Sequence, residues 1–375
     1  MIDTIVLTLP HTQFTILEHK NFNPNTFNLF EPPYLSFGNK PYIKCVFNPT
    51  KKELTGYHPR LTIIKVVRRS AYPIFLRIGF SIPKLLYGNN FDEVSDSDFW
   101  DICKLLKNKL FDMGVSIRDI KYLEEAPVST IHYSKNIVLT DYTEPFHYIN
   151  EMKKVDISMM YDINQTDYRN HGLNLKFRSN QYEFAMYDKL QDLKQANSSE
   201  KKGEEDDYED QLNLFEKYPQ SFPFEVLRLE VRLGDKKKIK RELTKIDESI
   251  MEPTFRSLFK SIYSQKLILN ILHSMKDNYP KLLNTREEDI QSIVKNILMK
   301  NPHIKLNTLL AVVGYKYLVQ DSGIRGFRNM IRKFSDNSWY NLKRNMGNIS
   351  IDTGEFLMDR IISDVEKFET VHIDK

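Results

Sequence analysis

Cysteine is scarce in this sequence, and long apolar runs are missing from it. The chain of 375 residues holds two cysteines, Cys45 and Cys103, without the Cys/His spacing of a zinc site or a disulfide framework. We interpret both as buried thiols in a reducing cytoplasm. No run approaches the roughly 18 apolar residues of a membrane span, and the first residues do not resemble a signal peptide. We therefore expect a soluble, cytoplasmic protein with no membrane partner.

The common phosphate-binding and hydrolase motifs are also absent. No GxxxxGK[ST] occurs, and no GxGxxG follows an apolar run, which argues against ATP-driven work. No GxSxG elbow and no HExxH is present, so the commonest hydrolase and zinc-protease signals are missing. What remains is a set of polar residues on predicted strands.

Charge is distributed unevenly along the chain. The net charge is +4, but residues 236–350 alone carry 22 Lys and Arg against 10 Asp and Glu, so the remainder is net acidic. Such asymmetry indicates a polyanionic partner for the C-terminal part. A solvated, lysine-rich helical surface explains it equally simply.

The hydrophobic pattern predicts an α+β fold. Alternating or continuous apolar runs predict strands at residues 3–9, 61–69, 72–81, 128–140 and 224–234. Residues 172–189 are predicted to form a β-hairpin with its turn near 178–180. A helix follows Ser95 or Ser97 and stops at Gly114. From residue 236 the periodicity is helical throughout. We expect an N-terminal domain, 1–235, with an antiparallel sheet and flanking helices, then an all-α C-terminal domain, 236–375.

Residues 196–220 interrupt this pattern with a polar, acidic stretch that includes Glu204-Glu205-Asp206-Asp207. The composition predicts a mobile acidic loop. An alternative is that the loop imitates DNA beside a basic site and inhibits the protein until it is displaced.

Two sets of residues are candidates for chemistry. Asp3 and His132 lie on strands that an antiparallel sheet could place side by side, and such a pair suits Mg²⁺ or Mn²⁺. His132 taken alone is as compatible with a hydrogen-bonded structural histidine. Tyr187 ends a predicted strand and precedes Lys189. A phenol with a pKa near ~10 needs a cation or a metal-polarised target to act as a nucleophile. Spacing alone leaves packing and nucleophile open as roles for Tyr187.

The N-terminal half resembles the gene II replication endonuclease of filamentous phages, a rolling-circle initiator in the broad HUH-type nickase superfamily. Four stretches are similar and occur in the same order: MIDTIVLTLP, YPIFLRIGFSIPKLLYGNNF, FAMYDKLQDL and LRLEVRL. The third carries Tyr187 two residues before Lys189, as in the family. The fourth is an Arg-x-Glu-x-Arg strand with Arg228, Glu230 and Arg232. The likeness covers residues 1 to about 235.

The resemblance implies a site-specific single-strand DNA endonuclease and strand transferase that starts rolling-circle replication of a phage or plasmid. Tyr187 would attack a phosphodiester and become linked to the 5′ phosphate, with Lys189 balancing charge. Asp3, His132 and Glu230 are the candidate ligands of the Mg²⁺ or Mn²⁺ ion. The superfamily's paired histidines are missing, and Arg77 stands where the phage family carries an acidic residue.

Basic residues interleaved with aromatic ones are the candidates for DNA binding. They lie near the predicted cleavage site and in the helical part: Lys84, Asn90, Arg228, Arg325, Arg328, Arg332 and Lys333. A helix pair near 321–323 is a candidate helix-turn-helix, and ordinary turn chemistry accounts equally well for Asn90. The expected partners are double- and single-stranded origin DNA and, since no motor motif is present, the host helicase and replication machinery.

Other functions stay open. A conjugative relaxase or transposase shares the same chemistry. A non-catalytic DNA-binding regulator would keep the fold without the metal site, and the Arg77 departure favours it. An RNA-binding protein would show exposed aromatic pairs on central strands, which the sequence does not reveal.

Overall fold

Nine strands form one antiparallel sheet in the computed structural model of this chain. The structure describes residues 1–29, 42–49, 54–66, 73–141, 143–158, 160–198, 224–279, 283, 289–331, 333–351 and 356–372. Its strands are β1 (Ile2–Pro10), β2 (Phe14–Ile16), β3 (Tyr42–Phe47), β4 (Arg60–Val66), β5 (Ile74–Ser81), β6 (Val115–Ile117), β7 (Val128–Leu139), β8 (Asp162–Arg169), β9 (Asn174–Ser179), β10 (Tyr182–Asp188) and β11 (Glu225–Leu233). The order in the large sheet is β3-β4-β5-β1-β7-β11-β10-β9-β8, while β2 pairs with β6.

Helices account for most of the remaining described chain. They are α1 (Ile82–Tyr87), α2 (Phe99–Asp112), α3 (Lys121–Glu124), α4 (Pro145–Met152), α5 (Lys189–Ser198), α6 (Lys236–Thr244), α7 (Phe255–Leu258), α8 (Ser261–Asp277), α9 (Ile290–Lys300), α10 (Leu306–Met330), α11 (Asp336–Gly347) and α12 (Asp359–Lys367). The predicted α+β class with an antiparallel sheet is therefore confirmed. None of these described helices is long and apolar enough to cross a membrane.

Alternation along the central strands gives the sheet two different faces. On β11, Leu227, Leu229 and Val231 point to one face, while Arg228 and Glu230 point to the other. The apolar face joins the largest hydrophobic core, and helices α6, α8 and α12 pack on its central strands. Burying each Leu, Ile or Val there contributes roughly 1.5–3 kcal/mol. The opposite face carries the charged residues of the candidate site.

Most strands follow the sequence pattern within two or three residues. The hairpin of β9 and β10 has its turn at residues 180–181, close to the predicted turn. Ser95, one of the two predicted caps, forms a capping box with Asp98 at the entrance to α2, and Gly114 ends that region with φ +77°. Strands β2, β3, β6 and β8 were not predicted.

The helices after residue 235 divide between two cores. Helices α6, α8 and α12 contribute to the core of the sheet, whereas α9, α10 and α11 surround a second, separate core that includes Ile293, Val312 and Trp339. The predicted boundary at residue 236 therefore does not coincide with a change of core. Among the described residues, none after Leu233 lies in a strand, as predicted.

Two further predictions concern the acidic stretch 196–220 and the helix break near residues 321–323. The acidic stretch 196–220 falls outside the described residues except for 196–198, which belong to the end of α5. The predicted break near residues 321–323 is present: Gly323 has φ +69° and ψ 171° and divides α10 into two helical parts. Only glycine adopts this backbone conformation without strain.

Candidate functional site

Four neighbouring strands bring predicted catalytic and metal-ligand residues to the polar face of the sheet. Strands β1, β7, β11 and β10 lie side by side in this order, and they carry Asp3, His132, Glu230 and Tyr187 respectively. Paired residues share a face in an antiparallel sheet, as do residues two apart, so the registers put His132, Glu230 and Tyr187 on the same face. These residues are distant in sequence and meet only through strand pairing.

A β-bulge in β1 positions Asp3. The pairing of β1 with β7 shifts between Ile2 and Thr4, so Asp3 is the extra residue on its strand. Its carboxylate joins His132 and Glu230 in a group whose ligand atoms lie within 4.8 Å of one another. The predicted proximity of Asp3 and His132 is thus confirmed, while their role as metal ligands stays a prediction.

Glu230 is the centre of the site and is only 2% exposed. Arg232 donates to both of its carboxylate oxygens, from Nε to Oε1 at 2.9 Å and from Nη2 to Oε2 at 2.8 Å. His132 Nδ1 lies 3.3 Å from Oε1, and the Tyr187 phenol donates to Oε2 at 3.3 Å. Burial alone would raise the pKa of this carboxyl, but the contacts from His132 and Arg232 outweigh it and hold the pKa well below its usual range.

Arg228 pairs with the carboxylate of Asp3 as Arg232 pairs with that of Glu230. Its Nη2 donates to Asp3 Oδ1 at 2.5 Å and to Ser134 Oγ at 3.0 Å, and Nη1 donates to the Asn90 carbonyl at 2.7 Å. The other carboxylate oxygen, Oδ2, accepts from the Thr4 hydroxyl at 2.8 Å. The side chain of Arg228 is 3% exposed, so the described structure leaves it little surface for the predicted direct contact with DNA.

A divalent cation in this cluster would compete with existing hydrogen bonds for the carboxylate oxygens. Two carboxylates and an imidazole suit Mg²⁺ or Mn²⁺ as donor types. However, the four acceptor positions of Glu230 are taken by Arg232, His132 and Tyr187, and both oxygens of Asp3 already accept hydrogen bonds. An ion would have to displace two guanidinium contacts. The residues therefore do not form a ready-made metal site, although the prediction of Mg²⁺ or Mn²⁺ is untested.

Tyr187 lies against the centre of this cluster and is 8% exposed. Burial raises the pKa of its phenol well above the usual value, and the charge of Glu230 adds to this, whereas Arg228 opposes it. The phenol therefore stays protonated until it reacts. Tyr182 points to the apolar face and stacks on Tyr161 with ring centroids 5.5 Å apart, as expected for a residue five positions away on one strand.

Lys189, the first residue of α5, is a buried ammonium near the same cluster. Burial and, to a smaller extent, the charge of Arg228 lower its pKa, Asp192, Asp3 and Glu230 raise it, and the net value is about 7. The only ion pair that the described residues give it is a long one, 4.0 Å to Asp192. Close to neutral pH this lysine is therefore able to give up or accept a proton.

A small apolar cluster closes one end of the site. Phe91, Leu190, Leu193 and Val226 are buried together, separately from the main core. Val226 shares the polar face with Arg228 because the two residues are two apart on β11. This contact holds the beginning of α5 against the polar face, which explains how Lys189 is positioned.

The predicted DNA-contacting residues before α2 lie at different distances from this centre. Asn90 reaches it through its backbone carbonyl, which accepts from Arg228, and its side-chain Oδ1 is buried without a hydrogen-bond partner in the described structure. Lys84 lies on α1, with its Nζ 5.9 Å from the ring centroid of Tyr57.

The basic residues of the helical part lie outside the cluster. Arg325 approaches the sheet, with Nη1 4.0 Å from Asp167 Oδ1 on β8. Arg328 and Lys333 lie over the rings of Trp339 and Phe334, at 5.5 Å and 5.3 Å from the centroids. Arg332 lies outside the described residues.

Arg77, the residue that departs from the phage pattern, is not part of the cluster. It pairs with Thr8 on β1, whereas Thr4 pairs with His132. Four residues of strand correspond to about 13 Å. The departure therefore leaves the surroundings of Tyr187 unaffected.

Sequence reasoning missed the partners that neutralise the site. Arg232 was noticed only as part of a motif, although it contacts Glu230 and also donates to Glu183 Oε1 at 2.9 Å. Arg178 and Lys176 on β9 surround the same Glu183. Alternating charges on β9, β10 and β11 were visible in the sequence, but their partners depend on register.

Comparisons with known proteins add nothing to this picture. No protein-family model matches the chain, and neither a curated protein nor a solved structure matches it. The resemblance to the phage endonuclease therefore remains a prediction from four short motifs.

Proposed function

We propose that this protein is a single-strand DNA endonuclease and strand transferase that starts rolling-circle replication of a phage or plasmid. One observation supports this above the others: the Tyr187 phenol donates to Glu230, the same carboxylate that His132 contacts. The motif that contains Tyr187 is independent of the strand placement that predicts Asp3 and His132 as neighbours. Their meeting at one point is difficult to explain by packing requirements alone.

The chain's own residues have defined parts in this reaction. Tyr187 Oη attacks the phosphorus, an Oη–P bond forms and the P–O3′ bond breaks, which leaves a 5′ phosphotyrosine and a free 3′ hydroxyl. Glu230 is too weak a base to keep the phenol proton because its pKa is so low, so it orients the phenol, and the proton passes to the neutral form of Lys189. The departing 3′ oxygen takes a proton from Lys189, whose pKa of about 7 suits this exchange near neutral pH. The covalent bond conserves the energy for rejoining.

The helical part is the proposed grip on double-stranded origin DNA. Its second core carries α11 and α10, and Arg325 and Arg328 both lie on α10. The Ile324 amide of α10 donates to the Lys153 carbonyl at 3.2 Å beside the sheet. Cations near exposed rings such as Phe334 suit phosphates and unstacked bases. Strand separation would come from a host helicase.

A second candidate is a non-catalytic DNA-binding regulator. It is favoured by the neutralisation of Asp3 and Glu230 by arginines and by the low exposure of Tyr187. In that case the cluster would serve only to hold four strands together, since paired buried charges resist separation.

Cleavage of labelled DNA separates the two candidates. The protein and a Tyr187→Phe variant are incubated with end-labelled single-stranded DNA from their own replicon, once with Mn²⁺ and once with EDTA, and resolved on a denaturing gel. Tyr182→Phe is the matched control, because it removes a phenol from the other face of the same strand. A protein-linked 5′ fragment that requires Tyr187 and not Tyr182 supports the nickase. DNA binding without cleavage in every condition leaves the regulator.

A further inference from the structure

Arg232 occupies the open side of the site. Its side chain is 30% exposed, and that of His132 beside it is 24% exposed, whereas Glu230 is 2% exposed. A DNA strand that approaches Tyr187 therefore meets Arg232 and His132 first. Arg228 is enclosed on the other side by the Asn90 carbonyl and by the apolar cluster around Phe91.

The side chain of Arg232 is fixed by hydrogen bonds and still has N–H groups that can donate to a ligand. Glu230 accepts from its Nε and Nη2, and Glu183 accepts from its Nη1. A guanidinium has five N–H groups in a planar fork, so two remain uncommitted among the contacts of the described residues. The two carboxylates fix the plane of the fork, which is the arrangement required for binding a phosphate without reorganisation.

The distance between Arg232 and Tyr187 suits a bound phosphodiester. Arg232 Nη2 and Tyr187 Oη both lie on Glu230 Oε2, at 2.8 Å and 3.3 Å, so they are at most about 6 Å apart. A phosphorus about 3–3.5 Å from Oη is in position for attack. One of its non-bridging oxygens can then lie about 2.8 Å from a guanidinium nitrogen within the same space.

The carboxylates of the cluster are committed to arginines. Arg228 donates to Asp3, and Arg232 donates to both Glu230 and Glu183. A divalent ion that took these carboxylate oxygens would leave guanidinium groups without their partners, which is strongly unfavourable in a largely buried site. A phosphodiester needs no carboxylate and brings a negative charge that an arginine can bind.

We propose that Arg232 binds the scissile phosphate beside Tyr187 in place of a divalent cation, so that this chain cleaves DNA without a metal ion. The inference rests on the proposed nickase function. The bond changes are those given above: Oη–P forms, P–O3′ breaks, and the positive charge on Arg232 stabilises the additional negative charge on the phosphate oxygens.

Cleavage in EDTA tests this directly. We expect the wild-type protein to cleave its single-stranded origin DNA in EDTA at a rate within threefold of that in Mn²⁺. Arg232→Ala should lose at least about 100-fold in both conditions, as for removal of one preorganised charge donor, and Arg232→Lys at least about tenfold, since the planar fork is lost. Arg178→Ala is the matched control, because it also removes a guanidinium from Glu183, and it should stay within threefold of wild type.

Binding of Mn²⁺ alone gives a readout that does not depend on activity. We expect titration calorimetry of the full chain with Mn²⁺ at up to about 0.1 mM to show no stoichiometric site. A one-to-one site that His132→Ala abolishes would overturn the inference. Thermal unfolding of each variant, together with DNA binding, establishes that the arginine variants are folded.

The two proposals fail in different ways. Cleavage that requires Mn²⁺ or Mg²⁺ and stops in EDTA would overturn the metal-free inference while keeping the nickase. Cleavage in EDTA that Arg232→Ala leaves unchanged would also overturn it, because the phosphate would then have another ligand. Binding without cleavage in any condition would remove the nickase and, with it, the inference.

Discussion

Replacing Lys189 with methionine should stabilise the protein while removing its activity. Lys189 is 1% exposed, and its ammonium has only a long ion pair with Asp192 among the described contacts. Methionine has nearly the same length and needs no solvation. The substitution therefore tests whether a charged group is held in the site against the stability of the fold.

The size of the effect follows from the pKa of Lys189, which burial lowers from 10.5 to about 7. The unfolded chain binds more protons than the folded one between these values, so stability rises with pH across this range. Since one pKa unit corresponds to about 1.4 kcal/mol, charged Lys189 costs the fold up to about 5 kcal/mol below pH 6. The cost falls to about 2 kcal/mol at pH 9 and disappears above the unfolded value.

Urea denaturation at two pH values measures this difference. Since the pKa of about 7 already includes the effect of Asp192, Lys189→Met should raise the free energy of unfolding by about 4 kcal/mol at pH 7 and by about 2 kcal/mol at pH 9. Lys194→Met, on the exposed side of the same helix, should change it by less than about 0.5 kcal/mol at both. A destabilised Lys189 variant, or a gain that is equal at both pH values, would refute the reasoning.

Three further perturbations test other parts of the structure. Gly323→Ala should lower the free energy of unfolding by about 1–2 kcal/mol in thermal denaturation, because φ is +69° and an added Cβ would lie 3.1 Å from the Lys153 carbonyl oxygen. Glu93→Gln should cost about 3 kcal/mol in urea at pH 7, since it leaves Lys135 buried without its partner at 2.5 Å. Burial raises the pKa of Glu93, but Lys135 outweighs burial and the net pKa is lowered. The wild-type pair therefore contributes its full stability above the usual carboxyl pKa and loses it as the pH falls through the lowered folded pKa. The loss caused by Glu93→Gln should accordingly shrink in acid. Lys333→Ala should weaken DNA binding similarly for all sequences and reduce the salt dependence of the binding constant by about one ion, measured by fluorescence anisotropy; an unchanged slope would place DNA elsewhere.

The fold was predictable where one face of a strand is buried and the other is not. Strand β5 alternates buried and half-buried residues along IFLRIGFS, and such alternation is visible in the sequence. Strand β8, DINQTDYR, lies at the edge of the sheet and carries almost no apolar residues, so no pattern indicates it. Strand β3 at the other edge is short, and its position depends on pairing with β4.

The site was predictable in part. Asp3 and His132 were expected to be neighbours because their strands were expected to pair, and the structure pairs β1 with β7. The bulge that places Asp3 depends on the local pairing geometry and has no sequence signal. The pairing of Arg228 with Asp3 and of Arg232 with Glu230 depends on the order and register of four strands from distant parts of the chain.

One face of the sheet forms the hydrophobic core and the other face carries the charged residues, and this separation explains why the site can tolerate so many charges. Helices α6, α8 and α12 cover the apolar face with residues that follow the strands in sequence, so the main core forms without the polar face. The polar face is then free to hold charges that stabilise the fold little or not at all. The energetic cost of these charges is concentrated at Lys189, which has no close carboxylate among the described residues. The cost is reduced at Asp3 and Glu230, each of which pairs with an arginine. A face selected only for stability would not keep that lysine, and this is the physical reason to look for chemistry there.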